Sequence, residues 1–418
     1  MTTLLSAVGP WLAEHSDDLV AVRRHLHAHP EPSYEEYATT ELIAERLTLA
    51  GYSPTVLSSG TGLVADLDPD PSAATGHGPR FGLRADIDAL RMADEKTVPY
   101  RSQVPGVAHA CGHDVHTAVM LGAAAYLARH RRLLPGPVRF IFQPAEERVP
   151  GGATVVVKDG CLDGLGGLVG FHCDPRRSVG TVGLKAGAIT SASDLAVITL
   201  QGPGGHTARP DETVDMVTLA ARLVLDLPAR VGEAVGDPSA VRFVFGAVHA
   251  GDAANAIPAE CTLRGSVRSR TNEIWERLPQ VVDAALASLL HGTGASHTLR
   301  YTAGVPSVMN DPALTAVVGR AATRALGPEG VTEAEHSWGG DDFAWYTREV
   351  PATYVRLGTR TPGATGAPLD LHAGRFDVDE HAIAVGVRVA VASVAEFFAD
   401  ARRGDRPVAV GAGRAQDG

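Results

Sequence analysis

The sequence predicts an α/β protein: a catalytic domain built on a mostly parallel sheet flanked by helices, with a smaller ferredoxin-like α+β domain inserted into it. Three observations carry this. Short apolar runs at 81–85, 138–142, 167–171 and 351–357 recur with helical stretches between them, the alternation that builds a parallel sheet. The ends of three of these runs carry metal-type or acid–base residues: Asp88, the Glu146-Glu147 pair and His172. Ligands of such sheets bind beyond the carboxyl ends of the strands. From about residue 187 the order of elements changes to β-α-β-β-α-β, the pattern of a small sandwich domain.

Taken in order, 17–28 and 33–49 read as helices separated by the two prolines of 29–33. Ser33 with Glu36 fits a capping box for the second helix. The run 117–128 is rich in helix formers and too long for a strand. In the inserted part, 193–200, 241–246, 259–268 and 297–301 read as strands, 212–227 and 272–291 as helices. The sheet texture of the first part resumes after about 303. The expected division is therefore 1–186 and 301–402 for the catalytic domain, 187–300 for the insert and 403–418 for a disordered tail.

The totals narrow the class. A chain of 418 residues exceeds what one core usually serves. A net charge of −11 with no basic stripe argues against nucleic acid as a partner. No uninterrupted apolar run reaches membrane-spanning length, so no membrane partner is expected. The first six residues lack the basic and apolar regions of a secretory signal. Four scattered cysteines read as reduced thiols and a cytoplasmic protein.

The stretch 109–116 concentrates the chemistry. It packs Cys111 and three histidines, His109, His113 and His116, into eight residues, with Asp114 between two of them. Thiolate and imidazole suit zinc or a neighbouring first-row metal. The competing reading is a structural Cys beside a capping His. His25, His27 and His29 lack an acidic co-ligand and read as a solvated helix end. Glu146 and Glu147 follow an apolar strand and Pro144. Neighbours in extended backbone point to opposite sides, so one can hold metal while the other faces substrate.

These residues resemble the M20 metallopeptidase/amidohydrolase family, in its N-acyl amino acid amidohydrolase branch, which includes hippurate hydrolases and indole-acetyl amino acid hydrolases. The similarity runs from about 20 to 398 and rests on Arg84-Ala85-Asp86-Ile87-Asp88-Ala89-Leu90, His109-Ala110-Cys111-Gly112-His113-Asp114 and Phe142-Gln143-Pro144-Ala145-Glu146-Glu147. It continues through Gly170-Phe171-His172, Gly204-Gly205-His206, Asn255-Ala256-Ile257-Pro258, Gly339-Gly340-Asp341-Asp342-Phe343 and Leu371-His372-Ala373-Gly374-Arg375-Phe376.

The resemblance implies a site of two divalent metal ions (Zn, Mn, Co or Ni) held by Cys111, His113, Glu147, His172 and His372, with Cys111 as bridge. His372 comes from the family match alone. The resemblance further implies Glu146 as general base, Asp88 orienting a ligating histidine, and His206 of the insert as oxyanion donor to a neighbouring subunit's site. Asn255 and Arg268 match substrate-binding positions, and Asp114 and His116 either support ligands or, for Asp114, cap the helix. The implied reaction is hydrolysis of N-acyl amino acids such as N-acetyl or N-benzoyl forms by metal-activated water. The implied assembly is a homodimer through the insert. A dipeptidase on the same site, a thiol hydrolase using Cys111 and His113, and a catalytically silent binding protein are the alternatives. Four positions depart from the family pattern: Arg91, Ala108, Asp341 and Cys173. Arg91 and Ala108 would alter the acyl pocket, and Cys173 the metal preference.

Overall fold

A computed structural model describes residues 3–72, 78–367 and 369–403. Its strands, in chain order, are β1 (Thr55–Val56), β2 (Leu63–Leu67), β3 (Arg80–Asp86), β4 (Val138–Gln143), β5 (Leu165–Ser178), β6 (Val182–Leu184), β7 (Ala192–Gln201), β8 (Val241–His249), β9 (Glu260–Ser269), β10 (Ser296–Val305), β11 (Val331–Glu333) and β12 (Ala352–Arg360). The main helices are α1 (Val8–Ala28), α2 (Tyr37–Leu49), α3 (His113–Arg129), α4 (Met216–Val235), α5 (Asn272–Leu290), α6 (Pro312–Leu326) and α7 (His381–Arg403). The chain divides into two compact units: Met1–Ile189 with Met309–Glu335 and Asp342–Gly418, and Thr190–Val308 with His336–Asp341.

In the first unit the sheet runs β1-β2-β4-β3-β5-β12-β6-β11. The four central strands β4, β3, β5 and β12 are parallel. They are buried almost end to end, which is why they read as continuous apolar runs and not as alternating ones. Antiparallel pairs frame them at β1/β2, β2/β4 and β12/β6. Helix α3 packs against α1 and α7, and α7 against α6. With the sheet they share one hydrophobic core. Helix α7 is long and apolar enough to cross a membrane by composition, but most of it is buried in that core.

Three local expectations need correction. Helix α1 begins at Val8, nine residues before the expected start. Helix α2 begins at Tyr37, and the Ser33–Glu36 capping box does not form. The Glu31 carboxylate accepts from the Ala38 and Thr39 N–H groups instead, at 3.1 and 2.7 Å. Strand β5 does not stop before His172. Its pairing with β3 ends at Gly170, and it continues beside β12, with His172 opposite Arg356. His172 thus stands just past the end of the pairing with β3 although its own strand goes on. At the carboxyl terminus Arg403 still belongs to α7, and the rest of the expected tail, 404–418, lies outside the described residues.

The second unit contains an antiparallel sheet in the order β8-β9-β7-β10. Strand β7 alternates buried and open positions, the period-two signature of a sheet with one covered face. Helices α4 and α5 pack together, and Leu219, Leu223, Leu227, Val282 and Leu286 join β7 and β9 in its core. The element order β7-α4-β8-β9-α5-β10 is the β-α-β-β-α-β arrangement.

Candidate metal centre

The centre begins at a glycine. Gly112 is the N-cap of α3 with φ +89°, and a Cβ there would lie 2.7 Å from the Cys173 sulfur. Both the left-handed turn and the contact demand glycine. This turn brings the donor atoms of Cys111 and His113 together with Glu147, all within 4.8 Å of one another. The Cys111 Sγ lies 3.6 Å from His172 Nε2. On the other side His372 Nε2 lies 3.2 Å from Glu147 Oε1. All five expected ligands therefore form one contiguous group within the first unit. His372 itself has φ +61°, and its N–H donates to the Ala110 carbonyl at 2.8 Å. A positive φ at a histidine is uncommon and is concentrated at functional positions.

The ligating atoms are oriented from behind. His113 Nδ1 is bound by the Asp88 backbone oxygen at 2.9 Å and by its Oδ1 at 3.2 Å. Among the described residues its buried Nε2 has no hydrogen-bond partner; it lies 3.7 Å from Asp86 Oδ2, 3.8 Å from Glu146 Oε2 and 4.0 Å from Glu147 Oε1. His172 Nδ1–H donates to the Cys173 carbonyl at 2.7 Å, which leaves the Nε2 lone pair on the Cys111 side. The Cys173 N–H donates to His116 Nε2 at 2.8 Å, so the His116 proton sits on Nδ1 and goes to Asp86 at 2.5 Å. Arg84 backs Asp86 at 2.5 Å and donates to Gln143, whose amide in turn holds Asp342. Both Arg84 and Asp86 are fully buried.

Asp86, His113 and His116 also cluster closely enough to suggest a metal group. Asp86 is engaged by Arg84 and His116, and His116 Nε2 accepts the Cys173 N–H, so this trio is scaffolding. His116 acts on His172 through the Cys173 peptide. Asp114 neither caps α3 nor touches a ligand: it accepts from Arg23 at 2.8 Å and pairs with His27 at 2.7 Å. His27 is consequently buried, against the solvated helix end expected, while His25 and His29 are exposed.

Charge explains the fit to metal. Burial opposes a charge on His113, yet Asp86, Asp88 and Glu147 carry its pKa up to about 10. Burial also opposes ionisation of Asp86, which Arg84, His113 and His116 nevertheless hold well below the usual carboxylate range. His372 is raised by its hydrogen bond to Glu147. His172 is driven well down by burial and by Arg356, so it stays neutral and ligand-ready. The pocket is built for cations: a thiol, carboxylates and imidazoles converge, with an orphaned nitrogen at their centre. The donor set fits divalent metals of the zinc group, with manganese admitted by the carboxylates.

The remaining candidates lie in the second unit. His206 is exposed and pairs with Ala256 across a short ladder, beside the exposed Asn255. Its Nδ1 accepts the Ala208 N–H at 3.0 Å, so Nε2 carries the proton and is a donor. Arg268 is half-buried and donates to the Trp338 carbonyl at 2.8 Å. Arg242 stacks over the Trp338 ring at 4.1 Å.

Of the departures, Arg91 is exposed and pairs with Glu35. Ala108 is buried and exchanges backbone hydrogen bonds with Leu90. Cys173 packs in the hydrophobic core, and burial holds its thiol protonated, its pKa well above the ordinary thiol value. That environment gives the site no second thiolate.

Sequence reasoning missed Arg84, Asp86, Gln143 and Asp342 beneath the ligands, and Ser33 and Glu36 beside the acid pair. Arg84 and Asp86 stand inside one of the motifs that carry the family resemblance. Their lone charges in an apolar strand were the available signal, since buried charges are found paired.

The model of peptidase family M20/M25/M40 matches residues 82–396. A protein of Rhodococcus jostii (strain RHA1) named as a glutamate–cysteine ligase is 41% identical over 90% of this chain, which spans 46% of that relative. N-acetyl-L-cysteine deacetylase of Bacillus subtilis (strain 168) is 36% identical, with 87% of this chain and 84% of the relative covered. The crystal structure of the Bacillus subtilis YXEP protein, described as a dinuclear metal binding peptidase from the M20 family, matches with a TM-score of 0.80 and 31% identity. That match covers 93% of this chain and 99% of the other. Family and fold define a metal-dependent hydrolase acting on amide bonds. The chain belongs to peptidase family M20/M25/M40.

Proposed function

We propose that this enzyme hydrolyses the amide bond of N-acyl amino acids, releasing a carboxylic acid and a free amino acid. The observation that carries the reading is the acid pair at the end of β4: Glu147 lies among the ligand histidines while Glu146 comes within 3.8 Å of His113 from the adjoining position. The deacetylase relative supports an acyl group on an amino acid. The peptidase description of the YXEP neighbour favours a second reading, hydrolysis of dipeptides on the same site.

Cys111, His113, Glu147, His172 and His372 would hold the metals, the Cys111 thiol lying between His172 and the His113–Glu147 pair. Bound there, divalent cations lower the pKa of water toward neutrality and polarise the amide carbonyl. Glu146 accepts the water's proton and delivers it to the leaving amine. Asp88 fixes the His113 ring through Nδ1. His206 supplies its Nε2–H to the developing oxyanion, an interaction worth about 3–4 kcal/mol where such a donor has been removed elsewhere. Asn255 and Arg268 receive the substrate carbonyl and carboxylate. The assembly is a homodimer through the second unit, in which His206 serves the partner's site, and the enzyme works in the cytoplasm on small molecules.

The test is amine release from N-acetyl, N-benzoyl and indole-acetyl amino acids and several dipeptides, with chelated protein and after adding zinc, manganese, cobalt or nickel. Metal-restored hydrolysis of the acyl amino acids supports the reading. Turnover of dipeptides alone transfers it to the second one. Silence with two metals bound removes this substrate class.

A further inference from the structure

The turn that presents the acid pair is gripped by two carboxylates. Ala145 is fully buried with φ +52°, a conformation unfavourable for a residue with a Cβ. The N–H groups of Ala145, Glu146 and Glu147, three in succession, each end on a carboxylate oxygen. Ala145 donates to Glu36 Oε1 at 2.8 Å, Glu146 to Asp88 Oδ1 at 3.1 Å and Glu147 to Asp88 Oδ2 at 3.0 Å. Successive N–H groups of this kind form an anion-binding concavity, and here the protein fills it with its own side chains. Asp88 also receives the Ser33 hydroxyl at 2.7 Å.

Glu36 and Ser33 come from one segment, the approach to α2, which is tied to the Asp88 region independently. Pro32 bridges Ala89, and the Ala89 N–H donates to the Glu31 carbonyl at 2.8 Å. Neither side chain caps α2, since Glu31 does that. The far side of the turn is closed by the Gly152 N–H, which donates to the Ala145 carbonyl at 2.9 Å. Glu36 is wholly buried, and burial followed by the nearby Asp88 pushes its carboxyl up to about 7. In that buried place its hydrogen-bonding groups are the Ala145 N–H, its own N–H and the Thr61 hydroxyl, and only the first belongs to the turn that carries the acid pair.

We propose that Glu36 is a positioning residue for the hydrolysis: by accepting the Ala145 N–H it locks the left-handed turn that sends Glu147 to the metals and Glu146 to the substrate. This rests on the reading of Glu146 as the base. It adds a residue 109 positions away in sequence that touches neither metal nor substrate.

The test uses the full metal-loaded chain, with Glu36→Gln, Glu36→Ala and Glu36→Asp. The Gln side chain keeps the acceptor oxygen and its reach. The Ala side chain loses the oxygen, and the Asp side chain keeps the charge but is one methylene short. Two readouts are taken: kcat and KM on whichever amide the wild type cleaves, and hydrogen exchange of the 145–147 amides, with metals per chain counted. For Glu36→Gln we expect kcat within about threefold of wild type and protected amides. For Glu36→Ala and Glu36→Asp we expect kcat lowered about 10–100-fold, the range for groups that orient a metal site. KM should stay within about twofold, two metals should remain and 145–147 should lose protection. If Glu36→Ala fails to fold, Glu36→Asp against Glu36→Gln decides. Unchanged protection in the Ala and Asp variants, or a Gln variant as slow as they are, overturns the proposal. Glu146→Gln is run alongside: full activity there overturns the base assignment, while the exchange result still judges the grip of Glu36 on the turn.

Discussion

The two units hold their candidate residues in opposite ways. In the first, each ligand histidine but one is buried and has its second nitrogen fixed: His113 by Asp88, His172 by the Cys173 carbonyl. Behind these lies a further buried layer of Asp86, Arg84, Gln143 and Asp342. In the second unit His206 and Asn255 are exposed and Arg268 is half-buried, and His206 and Arg268 hydrogen-bond to backbone groups. His372, the exception in the first unit, is 54% exposed. The difference separates two tasks. Metal ligands must be held at fixed distances before anything binds, so they are over-determined. Groups that meet substrate keep their donors open to it.

That contrast sets the order of the expected effects. Glu146→Gln removes the proton acceptor and should lower kcat by about 10²–10⁴-fold with both metals retained, as read by steady-state kinetics and metal analysis. His206→Ala should lower kcat by about 10²–10³-fold without changing metal content or thermal stability. A fall in metal content there would erase the contrast between the units. Asp88→Ala should reduce metal affinity or activity by about 10–100-fold, seen in a competition titration with a chelator, because His113 and both glutamate N–H groups lose their anchor together. Arg268→Ala should raise KM with kcat little changed, by about 10–100-fold if it meets a substrate carboxylate, since a charged hydrogen bond is worth about 1.5–3 kcal/mol. Gly112→Ala should cost about 1–3 kcal/mol in chemical denaturation, the usual range for forcing a side chain into a strained turn.

Much of this was legible in the sequence. The central strands showed themselves because burial on both faces leaves them continuously apolar. Cys111, His113 and the acid pair stood out because such residues crowd the ends of apolar elements. His372 could not be found by spacing, since it is brought in from a remote loop and held by the Ala110 carbonyl. The Ser33–Glu36 pair was misread for a related reason. A capping box is a local pattern, whereas Ser33 finds Asp88 55 residues away and Glu36 finds Ala145 109 residues away. His27 likewise reads as solvated until Asp114, 87 residues on, comes to meet it. Local patterns reveal what a residue could do nearby, and in a buried site long-range partners outcompete them.

The central claim is that hydrolysis depends on two metals held by these five side chains. Its most direct test is amide hydrolysis by chelated protein as metal is returned in measured equivalents. Without metal no activity is expected, and recovery should level off at two equivalents per chain. Activity that survives chelation but is abolished by alkylating Cys111 would contradict it and make the thiol, in place of the metals, the agent of hydrolysis.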